Sequence, residues 1–169
     1  MALPTAPAGW TRYIVKAKFA MGRDFAVLDP ATEQQVYYVD GKLGWRAQCE
    51  VRDAADTPLY RIRGNLMGIP KEVTISDTAG TEVAHLRAKL FSPVRSQMTI
   101  TTAAGEEWKL VGSVLEKEYT VTAGGQPILT ITQKWLTVRD QFVIDIGPGV
   151  DPGIALAIMW SVDRFVEQQ

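Results

Sequence analysis

Asp151-Pro152-Gly153-Ile154-Ala155-Leu156-Ala157-Ile158-Met159-Trp160-Ser161-Val162 is the stretch that decides the fold. Asp at the N-cap and Pro at the first helical position make a helix start. From Ile154 onward the apolar side chains, set about 100° apart, cover every face instead of forming a stripe. A helix that is apolar all round belongs either to a core or to a membrane. The nine residues from Ile154 to Val162 would span only ~14 Å, far short of a bilayer. The core reading stands, with a helix predicted over about residues 152–166.

Upstream, period-two alternation dominates. Tyr13, Val15, Ala17 and Phe19 share one face of the first run, and Arg12, Ile14, Lys16 and Lys18 share the other. Trp45, Ala47, Cys49 and Val51 alternate in the same way with Arg46, Gln48, Glu50 and Arg52. Val73 and Ile75, Met98 and Ile100, Tyr119 and Val121, and Phe142, Ile144 and Ile146 continue the rule. Successive strand side chains point to opposite faces, so this is sheet with one wet and one buried side. Turn signals separate the runs: Asp29-Pro30, Asp40-Gly41, Asp53 to Pro58, Asp77 to Gly80, Ala104-Gly105 and Gly124-Gly125.

A meander of successive hairpins follows, with roughly eleven or twelve short strands. So many antiparallel strands must curl or close, because an open sheet of that width leaves long edges. A closed barrel of this size has an interior too wide for its own side chains. The C-terminal helix, ~10–12 Å across with its side chains, is a fitting plug. The expected fold is mainly β: a closed antiparallel barrel of about twelve strands enclosing a hydrophobic C-terminal α-helix. Residues 1–10 are expected to be a flexible lead-in and residues 11–169 a single domain.

With 169 residues, 46% apolar and 22% charged, the chain can enclose a sizeable core. Its 18 basic and 19 acidic side chains give a net charge of −1, which argues against a general nucleic-acid binder. One cysteine, Cys49, and one histidine, His85, supply neither an intrachain disulfide nor a zinc site. No run approaches the ~20 apolar residues of a transmembrane span. Residues 1–9 lack the charged start and apolar core of a secretory signal. A cytoplasmic location, or one peripheral to a membrane, is expected, and no cofactor.

Three features carry a family resemblance. One is the strand–Asp-x-x-Gly–strand hairpin, with Asp77 to Gly80 as its best copy. Another is Phe25 to Asp29 followed by Val36 to Val39. The third is the ending, Asp140-Gln141-Phe142-Val143-Ile144-Asp145-Ile146, then Pro148-Gly149-Val150-Asp151 and the Ala/Leu/Ile-rich helix. Together they resemble the LURP-one-related family, which is grouped with the tubby C-terminal domain and the phospholipid scramblases. The resemblance covers Tyr13 to Phe165 and implies a barrel around a central hydrophobic helix. It also implies binding of anionic phospholipid or phosphoinositide, or a scramblase-like activity. Tubby-like domains bind phosphoinositides through clustered Lys and Arg whose positions have no residue-by-residue match here. Scramblases carry a calcium-binding segment where Asp140 to Asp151 falls. A calcium loop of that kind needs oxygen ligands at its third, fifth and ninth positions. Here those positions hold Phe142, Ile144 and Pro148, so no metal is expected.

Other candidates have plainer readings. Gly147 to Gly153 lies between a strand and a helix, but its spacing is not G-x-G-x-x-G, and it reads as a tight turn. His85 alternates with Ala84 and Leu86, so it points outward with Arg87 and Lys89, and no nucleophile motif accompanies it. Cys49 reads as a small buried apolar residue. Glu106-Glu107 and Glu116-Lys117-Glu118 read as solvated carboxylates, not as an acid pair for catalysis. Trp45, Trp108 and Trp160 sit at apolar positions, whereas Trp10 and Trp135 are candidates for an exposed patch.

The binding candidate is basic. Arg12, Lys16 and Lys18 share the outer face of the first strand, and Arg61 and Arg63 that of Leu59 to Arg63. If those strands lie near each other, they form a positive surface for a lipid headgroup or phosphate. No catalytic constellation accompanies them. The leading expectation is a non-enzymatic intracellular domain that binds anionic phospholipid headgroups. The second is a regulatory scaffold with a protein partner. A basic face clustered beside an exposed Trp favours the first, and a dispersed charge map the second.

Overall fold

Where the connections are described, strand runs end at turns that their own sequence supplies. The computed structural model describes residues 3–20, 22–42, 47–65, 71–91, 95–133, 136 and 141–167. Trp45, Arg46, Trp135 and Asp140 lie outside the described residues, as do the side chains of Phe19 and Leu90. The first six strands are β1 (Thr11–Ala20), β2 (Gly22–Leu28), β3 (Gln35–Lys42), β4 (Gln48–Asp53), β5 (Pro58–Gly64) and β6 (Lys71–Asp77). The next six are β7 (Glu82–Phe91), β8 (Ser96–Thr102), β9 (Glu107–Ser113), β10 (Glu118–Ala123), β11 (Gln126–Thr132) and β12 (Gln141–Ile146). One helix, α1 (Pro152–Glu167), follows.

Every strand pairs antiparallel with its neighbours in sequence, and β1 closes the wall against β12, from Thr11↔Ile146 to Lys16↔Gln141. Position around the barrel is therefore position in the chain. The alternation read from the sequence maps onto this wall. Val15, Val51, Ile75, Leu86, Ile100 and Leu110 face the lumen and are fully buried. The expected barrel is the observed one, with twelve strands and a helix that runs one residue further than expected, to Glu167.

Three turns repeat one design. Asp53, Asp77 and Thr102 each end a strand and donate a backbone N–H to the residue four positions on. Asp77 Oδ1 also accepts from Ala79 N (3.0 Å) and Thr81 N (2.9 Å), and Asp53 Oδ1 from Ala55 N (2.9 Å) and Thr57 N (3.0 Å). A short carboxylate satisfies turn amides that the strand ladder leaves unpaired. The fourth position of each turn is left-handed, at φ 63° in Asp56, 87° in Gly80 and 84° in Gly105. The turn after β2 is one residue longer, but Asp29 Oδ1 caps it in the same way, accepting from Ala31 N at 2.8 Å. These turns all lie at one end of the barrel, where the chain also enters α1.

The helix start is built as the sequence predicts. Asp151 Oδ1 accepts from Gly153 N (2.7 Å) and Ile154 N (3.4 Å), and its other oxygen accepts from Tyr60 Oη at 3.0 Å. A Cβ on Gly153 would lie 2.5 Å from the Tyr60 ring, so the close approach requires glycine. From Ala155 to Val162 the helix is buried throughout. Ser161 satisfies its hydroxyl within the helix, donating to the Ala157 carbonyl at 2.8 Å. The helix approaches the backbones of β4–β7, whose inward residues include the small Cys49, Gly64, Ala84 and Ala88. At the far end Lys71 Nζ sits 5.8 Å from the centre of the Phe165 ring, which marks where the helix leaves the barrel.

Residues 3–10 have no regular structure. Arg12 Nη1 donates to the Pro4 carbonyl at 2.5 Å, and Trp10 N to that of Pro7 at 3.1 Å. Trp10 is half-buried and its ring packs over Gly147.

Two outcomes test this packing. Asp151→Ala removes both cap bonds and the Tyr60 partner, and should lower the free energy of unfolding by about 1–2 kcal/mol in chemical denaturation. Equal stability would contradict the cap. Burial pushes the Tyr119 phenol up to about 12 from 10.0, with Asp163 adding to the rise. An acid whose folded pKa exceeds its unfolded one contributes stability that is complete below the unfolded pKa and lost on passing the folded one. Stability should therefore fall from pH 10 to about 12, less steeply in Tyr119→Phe. An identical slope in the variant would contradict this placement of Tyr119.

Candidate functional site

The outer face of β1 presents the first three candidates, and they differ in use. Arg12 Nε and Nη2 donate to Asp145 Oδ1 (2.7 Å) and Oδ2 (2.9 Å) across the β1–β12 closure. That hydrogen-bonded carboxylate raises the Arg12 pKa, and Asp145 itself is 6% exposed. Arg12 is thus a fixed part of the wall. Lys16 stands in register with Ala26 and Gln141, and Lys18 with Asp24. Asp24 is already engaged, since it accepts from Tyr38 Oη and from Gly41 N, each at 2.8 Å. Among the described residues, neither Lys16 nor Lys18 has an ion pair.

Arg61 and Arg63 alternate with the buried Ile62 and are both exposed. Arg61 stands between Glu50 and Ser76, and Arg63 between Gln48 and Thr74. Neither has an ion pair among the described residues. The structure unites Lys16 with Lys18 and Arg61 with Arg63, but it does not unite the two pairs. The strands β2, β3 and β4 stand between them, about 19 Å along the wall at one strand spacing per step.

What joins Arg61 and Arg63 instead is Lys42. A groove of about 220 Å³ on the outer wall of β3–β5 is lined by Lys42, Gln48, Glu50, Arg61 and Arg63. Lys42 Nζ is held 2.5 Å from Asp40 Oδ2 and 3.4 Å from Glu50 Oε1, and Arg52 also contacts both carboxylates. The groove floor is neutralised within itself, whereas its β5 edge keeps two guanidinium groups open. The sequence reading missed Lys42 and Gln48. The register Lys42↔Gln48↔Arg63 becomes visible once sequential strands are taken as paired.

His85 and Cys49 lie on the faces expected of them, whereas Trp10, a candidate for an exposed patch, is half-buried. His85 faces outward, 3.4 Å from Thr74 Oγ1 and 3.5 Å from Glu72 Oε1. Cys49 faces the lumen, and burial pushes its thiol well above the usual range. The two lie on opposite sides of the wall and cannot act as a nucleophile and base. No group of three His, Cys, Asp or Glu among the described residues is arranged to hold a metal ion. No helix among the described residues is long and apolar enough to cross a membrane.

Residues 11–163, all twelve strands and most of α1, match the LURP-one-related family. The chain belongs to that family. Comparison with curated proteins found no match. An X-ray structure of a protein from Arabidopsis thaliana is similar at 14% identity and a TM-score of 0.39, over 94% of this chain and 91% of that one.

In this LURP-one-related domain the cations therefore fall into two classes, paired and open, and mutation should separate them. Arg12→Gln leaves the Asp145 carboxylate buried without its partner and should cost about 2–3 kcal/mol of stability. Lys16→Gln should stay within about 0.5 kcal/mol of the parent. Equal effects in denaturant titrations would contradict this division.

Proposed function

We propose that this domain is a non-enzymatic binding module for anionic phospholipid headgroups. The observation that carries the reading is the groove on β3–β5, where Arg61 and Arg63 are exposed and have no ion pair among the described residues. Guanidinium groups of this kind suit phosphate, whose oxygens accept two parallel N–H bonds. Lys16 and Lys18 provide a second open pair on β1, but β2–β4 separate the two pairs and Trp10 is half-buried, so the reading rests on the guanidinium groups of β5 and not on one continuous basic face. Scramblase-like insertion of α1 is not proposed, because its apolar side chains are the core of the barrel.

Co-sedimentation with phosphatidylcholine vesicles, with and without phosphatidylserine or phosphatidylinositol bisphosphate, tests this at two salt concentrations. Binding should require the anionic lipid and weaken with salt. Replacing Lys16, Lys18, Arg61 and Arg63 by Gln should weaken it by about 1 kcal/mol per cation. Arg12 is left intact so that stability is not confounded. Failure to sediment with any composition would overturn the lipid reading and favour a protein partner.

A further inference from the structure

A second groove, of about 230 Å³, lies on the outer wall of β7–β9. Its outward side chains are Lys89, Gln97, Thr99, Glu107, Lys109 and Val111. Lys89 on β7 and Lys109 on β9 stand on either side of β8, two strand spacings or about 10 Å apart. Thr99 is in register with Lys109, and Gln97 lies beside Lys89. Both lysines are exposed, and neither has an ion pair or a hydrogen bond among the described residues. Glu107, in register with Thr101, is the carboxylate of the lining, and it pairs with neither of them. Arg87, in the same row as Thr99, reaches across to Glu72 at 3.9 Å, so its charge is already met. In the groove on β3–β5, by contrast, Lys42 is held by Asp40 and Glu50.

Two local features shape this groove. The β7–β8 register shifts between Ala88 and Leu90, so Lys89 is the extra residue of a bulge and stands outward beside Gln97. The other described shifts, at Val27/Leu28, Val51/Arg52, Ile75/Ser76 and Val121/Thr122, adjoin hairpin turns at the end where α1 enters. The shift at Lys89 lies away from that end. In addition, the side-chain oxygen of Gln97 accepts from Arg95 Nε (3.2 Å) and Nη2 (2.6 Å), so its NH2 group is turned away from Arg95 as a donor. Lysines often blunt an exposed sheet edge, but this barrel is closed and has no edge to protect.

We propose that this groove binds a phosphomonoester. Two ammonium groups flanking a hydroxyl and an amide offer donors on several sides of one phosphate group. A phosphomonoester brings up to two negative charges to two point charges, whereas a carboxylate or a phosphodiester brings one. The site is separate from Arg61 and Arg63, with β6 between the two grooves, and it does not rest on the phospholipid reading. A lipid or a free ester can carry the phosphate, and the test separates these sources.

Glycerol 3-phosphate is titrated into the native chain at constant ionic strength, with the backbone amides followed by NMR. In parallel, the chain is sedimented with phosphatidylcholine vesicles that hold phosphatidic acid or phosphatidylserine. Saturable shifts should centre on Lys89, Gln97, Thr99 and Lys109, and the diester glycerophosphocholine should produce none. Lys89→Gln and Lys109→Gln should each weaken binding about fivefold. Arg61→Gln with Arg63→Gln should leave it unchanged. A preference for phosphatidic acid that is lost when Lys89 and Lys109 are both Gln assigns the phosphate to a lipid. Saturation by glycerol 3-phosphate without that preference assigns it to a free ester. Shifts that sodium chloride reproduces, shifts centred outside β7–β9, or binding undiminished in the double lysine variant overturn the site. So does the absence of both shifts and preference, whatever Arg61 and Arg63 do on phosphatidylserine.

Discussion

Twelve antiparallel strands enclose a lumen that their own inward side chains cannot fill, whereas eight would just do so. An empty lumen would forfeit dispersion contacts along every strand, and a water-filled one would place water against Val15, Leu110 and Ile131, which are fully buried. A helix is the economical filler because its backbone polar groups are satisfied within itself. Only its ends need partners, and Asp151 supplies them where it enters. The all-round apolar surface of α1 follows from this constraint. So do the small residues on β4–β7, which let the helix approach.

The same constraint gives the barrel a direction. The helix must enter at one end and leave at the other, so the two rims are chemically distinct from the start. The entry rim consists of short turns whose geometry calls for Asp and Gly, and its negative charge is in part a by-product of turn capping. On the outer wall Arg12 is held by Asp145, and Lys42 and Arg52 are held by Asp40 and Glu50.

Much of the architecture was legible because it rests on local patterns. Alternation in strands such as Gln48–Asp53, Asp at strand ends, and the apolar run from Ile154 each need only a few neighbouring residues to be read. The sites were harder, because they depend on pairs that are distant in sequence. Arg12 and Asp145 are 133 residues apart, and nothing near Arg12 shows that its charge is already used. Arg61 and Arg63 looked like companions of Lys16 and Lys18 because all four alternate with apolar residues. Only the closed strand order separates them and puts Lys42 beside Arg63.

The central claim is that α1 is the interior of the barrel and not an appendage. Native-state hydrogen exchange measures this directly, residue by residue. Amides from Leu156 to Val162 should exchange only through global unfolding, with the same free energy as the slowest strand amides and the same denaturant dependence. Exchange of these amides through a cheaper opening, while the strands stay protected, would show a barrel that stands without its helix and would contradict the account.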